Sequence, residues 1–435
     1  MAEAAPPVEV IGFGCRLNLV ESEAIRRAAA AGGQDNLVVV NTCAVTSEAV
    51  RQARQAIRRL ARSRPEAEIV VTGCAAETDR AAFAAMPEVA RIVGNARKTA
   101  GETWARGGVV PASDGASAGV EPQAAPPAPL ADIIAGHTRG YVQVQTGCDH
   151  RCTFCIIPVG RGQARSVPAA EVVEAIARLV DRGIADVVLT GVDLTSYGAD
   201  LGGGPRLGSL VRAILAGVPG LRRLRLSSID QIEADEALMR ALAEEERLMP
   251  HLHLSLQSGD DLILKRMKRR HGAADAERFC AEVRRLRPDI VFGADFITGF
   301  PTESAAMFQR TLDHAEACGL THLHVFPFSP RAGTPAARMP QVARAVARER
   351  AARLRAAGAA ALARHLDRQV GRTLEVLAEN GGQGRTRDFT PVQLDAGVPP
   401  GGFIALRILG HDGARLSGVA AEYPAAELVA GAATG

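Results

Sequence analysis

Apolar residues in this chain fall in short unbroken runs, separated by stretches with a helical period. In the first hundred residues the runs are 8–13, 37–40, 69–71 and 92–93, and helical patterns occupy 21–31, 47–62 and 78–86. Unbroken rather than alternating runs imply burial on both faces, so this region reads as a doubly wound parallel sheet covered by helices. A stretch rich in Pro, Gly, Ala and Ser, 107–129, reads as a linker. Beyond it the alternation resumes, with candidate strands at 141–145, 186–190, 223–227, 251–257, 290–297 and 321–326 and helices such as 169–181 and 275–287 between them. Six such units predict an open (β/α)6 partial TIM barrel, with its site at the C-terminal strand ends. A long Ala/Arg-rich helix, about 341–369, closes that region. After it, short β-like runs at 374–378, 389–394, 403–408 and 415–419 are split by Gly and Pro turns, which predicts a small antiparallel β-barrel similar in shape to nucleic-acid-binding modules. The pattern divides the chain into 1–100, 101–133, 134–368 and 369–435, with no internal repeat.

Composition narrows the class. Of 435 residues, 47% are hydrophobic and 23% charged, which suits packed domains rather than a disordered chain. No apolar run approaches the roughly 20 residues that a membrane span needs, and the first residues lack the basic flank and apolar core of a signal peptide. The expectation is a cytoplasmic, monomeric protein with no membrane partner. Net charge is only +3, so basic stretches matter by placement. Arg51, Arg54, Arg58 and Arg62 recur at helical spacing, 265–271 reads KRMKRRH, and Arg385, Arg387 and Arg407 fall in the last region. These can offset phosphate charge, although arginine-rich helices are often just solvated faces.

The eight cysteines are too sparse for a disulfide scaffold. Cys148, Cys152 and Cys155 form a C-x3-C-x2-C run just after the first strand of the partial barrel. Three thiolates on one loop can hold three irons of a [4Fe–4S] cluster and leave the fourth open to an outside ligand. Structural zinc, with His150 as the fourth ligand, is the competing reading, although zinc sites usually pair two close ligands with two distant ones. Cys15, Cys43 and Cys74 each stand just beyond an apolar run, at the edge where loops of a switch-point crevice would meet. They offer a second three-thiolate site, or else three unrelated buried thiols. Cys280 and Cys318 lie in helical patterns and read as packed hydrophobes.

On these cysteines, and on the stretches 148–162 (CDHRCTFCIIPVGRG), Arg165-Ser166, 254–259 (LSLQSG), 295–301 (DFITGFP) and 326–336 (FPFSPRAGTPA), the chain resembles the radical S-adenosylmethionine methylthiotransferases from end to end. The segments GCRLN (14–18), NTCAVT (41–46) and HVFP (324–327) most resemble the branch acting on C2 of N6-threonylcarbamoyladenosine, the adenosine 3′ of the anticodon in tRNA. Two sister branches modify isopentenyladenosine in tRNA or an aspartate of a ribosomal protein. A non-catalytic zinc protein that binds RNA is the reading from another class.

The resemblance implies two [4Fe–4S] clusters and S-adenosyl-L-methionine. It implies that Cys148, Cys152 and Cys155 hold the cluster that makes the adenosyl radical. Cys15, Cys43 and Cys74 would hold the cluster that carries sulfur, with Cys43 counted among the catalytic residues. Gly191, Asp193, Ser227, Gln257, Ser258, Asp295 and Arg165 are the implied cofactor-binding residues. The last barrel would be a TRAM-like RNA-binding module. A tRNA substrate, an electron donor such as a flavodoxin or ferredoxin, and a sulfur source are the implied partners. Two departures stand out: Thr302 replaces a usual Gly, which puts a turn in question, and Asp230 replaces a usual Glu.

Overall fold

The computed structural model describes residues 8–106, 137–395 and 397–421. The linker read at 107–129, and the tail beyond 421, lie outside the described residues.

The first body is built on four parallel strands, β1 (Val8–Gly12), β2 (Leu37–Thr42), β3 (Glu68–Gly73) and β4 (Arg91–Ile92). All six residues of β2 are buried, as an unbroken Leu-Val-Val-Val run demands. Leu37 and Val39 pack with Ile25 and Ala29 of α1 (Arg16–Ala31). Val38 and Val40 face the other way, against Ile57 and Leu60 of α2 (Ser47–Ser63). Helices therefore cover both faces, as read from sequence. The strands, however, lie in the order β1-β2-β3-β4, with no reversal among the described strands. The crevice argued for the early cysteines needs a correction on this point. Their loops meet because three neighbouring parallel strands end along one edge. Two short helices follow β3: α3 (Cys74–Thr78) and α4 (Arg80–Ala84).

The second body contains β5 (Gly140–Gln143), a small antiparallel pair β6 (Gln145–Thr146) and β7 (Arg165–Ser166), and then β8 (Asp186–Thr190), β9 (Arg223–Leu226), β10 (Ser228–Ile229), β11 (His251–Gln257), β12 (Val291–Thr298) and β13 (Leu320–Pro327). Strands β5-β8-β9 and β10-β11-β12-β13 are parallel throughout, and only Ser227 separates β9 from β10. Six strand paths thus form the open barrel, at the six places the apolar runs marked. Its helices are α5 (Ile157–Arg161), α6 (Ala169–Asp181), α7 (Leu207–Gly217), α8 (Glu236–Glu244), α9 (Asp261–Met267), α10 (Ala273–Leu286), α11 (Ala305–Ala317) and α12 (Arg344–Asp367).

Val142, Val187, Leu189, Leu224, Leu226, Leu252 and Leu254 turn outward, into one core with residues of α6, α7 and α8. Side chains alternate across a strand, so Gln143, Thr190, Arg225, His253, Asp295 and His324 turn into the lumen. On the lumen side Leu19 and Val20 of α1 pack against Tyr141 and Val188, so the first body roofs the open side of the barrel. Helix α12 lies along β13, covering an edge that would otherwise present unpaired backbone.

The third body is a closed barrel of β14 (Thr373–Glu379), β15 (Gln383–Thr386), β16 (Pro391–Gln393), β17 (Phe403–His411) and β18 (Leu416–Ala420), in the order β14-β15-β16-β18-β17. Four of its pairings are antiparallel. The fifth, Val392 with Leu416, is parallel and closes the circle, so the wholly antiparallel expectation needs that amendment. Strand β15, Gln-Gly-Arg-Thr, carries no apolar run and left no trace in the sequence pattern.

Candidate active site

Each early cysteine is placed by a strand end. Cys15 precedes α1, Cys43 directly follows β2, and Cys74 opens α3 directly after β3. Two glycines make the convergence possible. Gly14 has φ +94°, and a Cβ there would stand 2.5 Å from the Cys43 Sγ. Gly73 has φ +95°, and a Cβ there would meet the Thr42 carbonyl oxygen at 2.4 Å. Only residues without a side chain allow these loops to approach so closely in a left-handed conformation. Burial pushes the Cys43 thiol up to about 11, and the charges of Cys15 and Cys74 push the same way. Three thiols delivered to one edge by three neighbouring strands are a donor set of the kind that binds metal as thiolates. The residues present therefore fit a metal cluster.

The second trio lies on the loop after β6. Its thiols are half-buried. Burial, then repulsion from Cys152, raises Cys155 to about 11, and the charge of Cys74 adds to this. Cys74 of the first trio is therefore close enough to Cys155 of the second to act on it. The backbone between them is equally tight: a Cβ on Gly160 would lie 3.3 Å from the Cys74 Cβ, and Asn95 Nδ2 donates to the Gly160 carbonyl at 2.5 Å. Both trios thus face one region between the first two bodies.

Charged residues frame that region. Arg269 Nη1 lies 3.8 Å from Cys152 Sγ, and its Nη2 donates to Asp230 at 2.7 Å. Arg270 also pairs with Asp230, at 3.2 Å, which explains why the acid at 230 is kept when Glu becomes Asp. Arg266 donates to Thr302 at 2.7 Å. Arg266 and Arg269 are half-buried and engaged within the protein, whereas Lys265, Lys268 and Arg270 are exposed, so the RNA-facing reading loses support at Arg266 and Arg269 alone. Arg385 and Arg387 are half-buried: Arg385 lies against Phe389, and Arg387 Nη2 donates to the Glu246 carbonyl at 2.9 Å. Arg407 is exposed.

The other residues expected at the cofactor divide. Gln145 accepts from the backbone N–H groups of Val192 and Asp193, at 3.0 Å each, and so fixes the loop of Gly191 and Asp193. Asp193 pairs with His150 at 2.6 Å and lies 3.9 Å from Cys148 Sγ. The carboxylate of Asp193, then that of Glu233, raises His150 to about 10. Cys148, His150 and Asp193 would suit a lone ion, but this set leaves out Cys152 and Cys155. The Ser227 Oγ is buried with no hydrogen-bond partner among the described residues. Gln257 ends β11 at φ +68°, and Arg165 is exposed on the rim strand β7 with no ion pair among the described residues. Asp295 is held by His253 at 3.0 Å and His324 at 3.3 Å. Ser258 does not join them, because its hydroxyl meets Thr311 at 3.3 Å and accepts from the Asp260 N–H at 3.2 Å, completing the turn into α9. Cys280 and Cys318 are buried in the main core, as expected, although Cys318 also meets His314 at 3.6 Å.

Sequence reasoning missed two features. Glu21 is buried between Arg161 at 2.7 Å and Lys98 at 2.6 Å, tying α1 to the cysteine loop of the barrel. Arg331 reaches from the loop after β13 to Ser47 and the Ala44 carbonyl, beside Cys43. Arg161 and Arg331 both lie inside quoted motifs, but a motif does not say which partner a side chain finds.

Three thiols at the mouth of an open parallel barrel define a radical S-adenosylmethionine protein, with S-adenosylmethionine and a [4Fe–4S] cluster as its cofactors. The model of the radical SAM superfamily matches residues 142–315, and that of the uncharacterized protein family UPF0004 matches 7–94. The fold is similar to that of the radical S-adenosylmethionine methyltransferase TsrM from Kitasatospora setae, with a TM-score of 0.51 at 16% identity over 77% of each chain. A threonylcarbamoyladenosine tRNA methylthiotransferase of Rickettsia prowazekii is 44% identical over 92% of this chain and 94% of its own. One of Bacillus subtilis is 34% identical over 84% and 83%. A tRNA-2-methylthio-N(6)-dimethylallyladenosine synthase of Erythrobacter litoralis is 33% identical over 86% of each. The chain belongs to the radical S-adenosylmethionine methylthiotransferase family.

Proposed function

We propose that this protein inserts sulfur and a methyl group at C2 of N6-threonylcarbamoyladenosine, 3′ of the anticodon in tRNA. The observation that carries the reading is the adjacency of two three-thiol sites from two different bodies, with Cys74 packed on Gly160 just after the second trio and Asn95 bonded to the Gly160 carbonyl. The names of the relatives in Rickettsia prowazekii and Bacillus subtilis favour this substrate over isopentenyladenosine. Cys148, Cys152 and Cys155 would hold the cluster that S-adenosylmethionine meets, and Cys15, Cys43 and Cys74 a second [4Fe–4S] cluster. When bound, these groups supply a radical able to attack an aromatic C–H that no side-chain base can deprotonate, together with the sulfur.

The chain's own residues orient and neutralise. The loop pinned by Gln145 presents Gly191 and Asp193, Ser227 offers a hydroxyl, and Arg165 stands at the rim for a carboxylate or phosphate. Residues 1–100 would form the methylthiotransferase domain, 134–368 the radical core and 369–435 a TRAM-like RNA-binding barrel. A flavodoxin or ferredoxin, a sulfur source and a cytoplasmic setting complete the reading.

Reconstituted anaerobically, the protein should be brown and hold about eight irons. With substrate tRNA, mass analysis of nucleosides should show the methylthio product. Cys152→Ala should abolish both deoxyadenosine formation and product. Cys43→Ala should still form deoxyadenosine but make no methylthio nucleoside. A Cys43→Ala variant that still methylthiolates removes the sulfur-carrying role from the first trio.

A further inference from the structure

We infer that Arg16, reaching into the barrel lumen beside the imidazoles held by Asp295, is the receptor for the carboxylate of the substrate's threonyl group; this rests on the substrate proposed above. Arg16 is the first residue of α1, directly after Cys15, and α1 is the helix that roofs the lumen through Leu19 and Val20. The other arginines around it have carboxylate partners. Arg225 meets Asp186 at 3.0 Å, Arg223 meets Glu375 at 2.6 Å, Arg139 meets Glu379 at 2.8 Å and Arg385 meets Glu379 at 3.6 Å. Arg16 makes no hydrogen bond or ion pair among the described residues, and its guanidinium rests 5.8 Å from the centre of the Phe389 ring.

A half-buried guanidinium with no anion beside it is costly, and its neighbours around Phe389 are the cations Arg139 and Arg225. Asp295, the carboxylate of the lumen triad, is already committed to His253 and His324. The site is therefore built for an anion that arrives from outside.

The geometry of that triad supports the assignment. His253, Asp295 and His324 stand on adjacent strands, with Asp295 in register with His324 and the two imidazole rings 4.5 Å apart. Gly293 makes room, since a Cβ there would lie 2.6 Å from His253 Nδ1. His324 is bound to Asp295 through Nδ1 and its side chain is 59% exposed, so Nε2 is left to face a ligand.

Adenine itself is neutral, and its backbone phosphates stay outside when a base is turned into a pocket. The threonylcarbamoyl substituent is different, because it brings a carboxylate on the base. C2 and the N6 group flank N1 on one edge of the ring, so a base presenting C2 to the thiol sites carries the threonyl group into the same lumen. A guanidinium fork beside a fixed imidazole suits a carboxylate. The methionyl carboxylate of S-adenosylmethionine is the other source of the same chemistry.

The test uses the full reconstituted chain, as wild type, Arg16→Lys and Arg16→Gln, with two anticodon stem-loops. One carries N6-threonylcarbamoyladenosine and the other the same base with the threonine carboxylate replaced by its primary amide. Wild type should prefer the carboxylate by roughly tenfold or more in kcat/KM. Arg16→Gln should bring that ratio close to one, and Arg16→Lys should retain part of it. A wild type that turns over both stem-loops equally overturns the inference but leaves the proposed activity standing, and that comparison needs no variant to fold. Arg16→Gln with the preference intact also overturns it, and a raised KM for S-adenosylmethionine in that variant would assign Arg16 to the cofactor. Failure of wild type to modify either stem-loop removes the proposed substrate, and the inference with it.

Discussion

Glu21 shows how much a single residue can decide here. Its carboxylate is buried, and burial alone would push its pKa up; Arg161 and Lys98 outweigh that and hold it at about 2. The folded value lies below the ordinary one, so the pairing contributes fully above about pH 4.5 and is lost as pH falls toward 2. The joint between α1 and the cysteine loop should therefore survive mild acid. Glu21→Gln should cost about 3–5 kcal/mol at neutral pH, because it leaves two buried cations without their carboxylate. Thermal denaturation of the apoprotein at pH 7 measures this, and an unchanged midpoint would show that the joint contributes nothing. Lys98 is one of only three lysines in an arginine-rich chain, which was a faint signal of its special place. Glu21 gave none, since an acid on an amphipathic helix normally faces water. Thr302 shows the opposite case. The sequence marked it as a lost glycine, and the structure places it at φ +68°, with Arg266 bonded to its hydroxyl at 2.7 Å. A β-branched residue in that conformation carries strain of about 1–2 kcal/mol, against which the bond to Arg266 is a partial offset.

At the level of elements, the strand ends do the positioning. Each of Cys15, Cys43 and Cys74 is delivered by a parallel strand, and strands adjacent in a sheet end side by side. That is why the placement of six candidate cysteines, of six barrel strands and of helix α6 was legible: thiols after apolar runs, and long buried runs, are strong one-dimensional signals. The strand order was not legible, because sequence says which runs are strands but not which strands are neighbours. Strand β15 was hidden because its pairing, not its side chains, makes it a strand. The turn role of the Ser258 hydroxyl was not legible, because a motif match does not say which partners a side chain finds. Glycines carry the rest of the positioning, and Gly14 is the sharpest case. Gly14→Ala would press a methyl group into the Cys43 thiol in a conformation that disfavours any Cβ. The variant should reconstitute with about four irons instead of about eight, while still forming deoxyadenosine from S-adenosylmethionine. Full iron content in Gly14→Ala would mean that the first trio can gather without this close approach.

Across the whole molecule, the lumen is enclosed by three bodies rather than one. The first body roofs its open side through α1, and the third closes its floor. Arg223 and Arg225 of β9 reach Glu375 and the backbone of 385–387, and the loop after β15 sets Phe389 among Arg139, Arg225 and Arg385 at 4.9, 5.3 and 4.7 Å, with His251 at 5.2 Å. Phe389 has φ +71°, a conformation a bulky residue holds only when its surroundings require it. The third body is therefore docked by a half-buried wedge, and Arg385, which looked like part of an RNA surface in the sequence, lies against it. Such a wedge would hold an RNA-binding barrel at a fixed distance from the thiol sites, as an enzyme that must bring one particular adenosine to one position requires. Phe389→Ala removes the ring while leaving every ion pair in place, at a cost of about 2–3 kcal/mol in docking. Limited trypsin digestion should then cut faster after Arg368 and Arg372, between α12 and β14, and tRNA turnover should fall more than cofactor cleavage without tRNA. If digestion is unchanged, the ion pairs of Arg223 and Arg225 alone hold the third body in place, and the wedge is a consequence of docking rather than its cause.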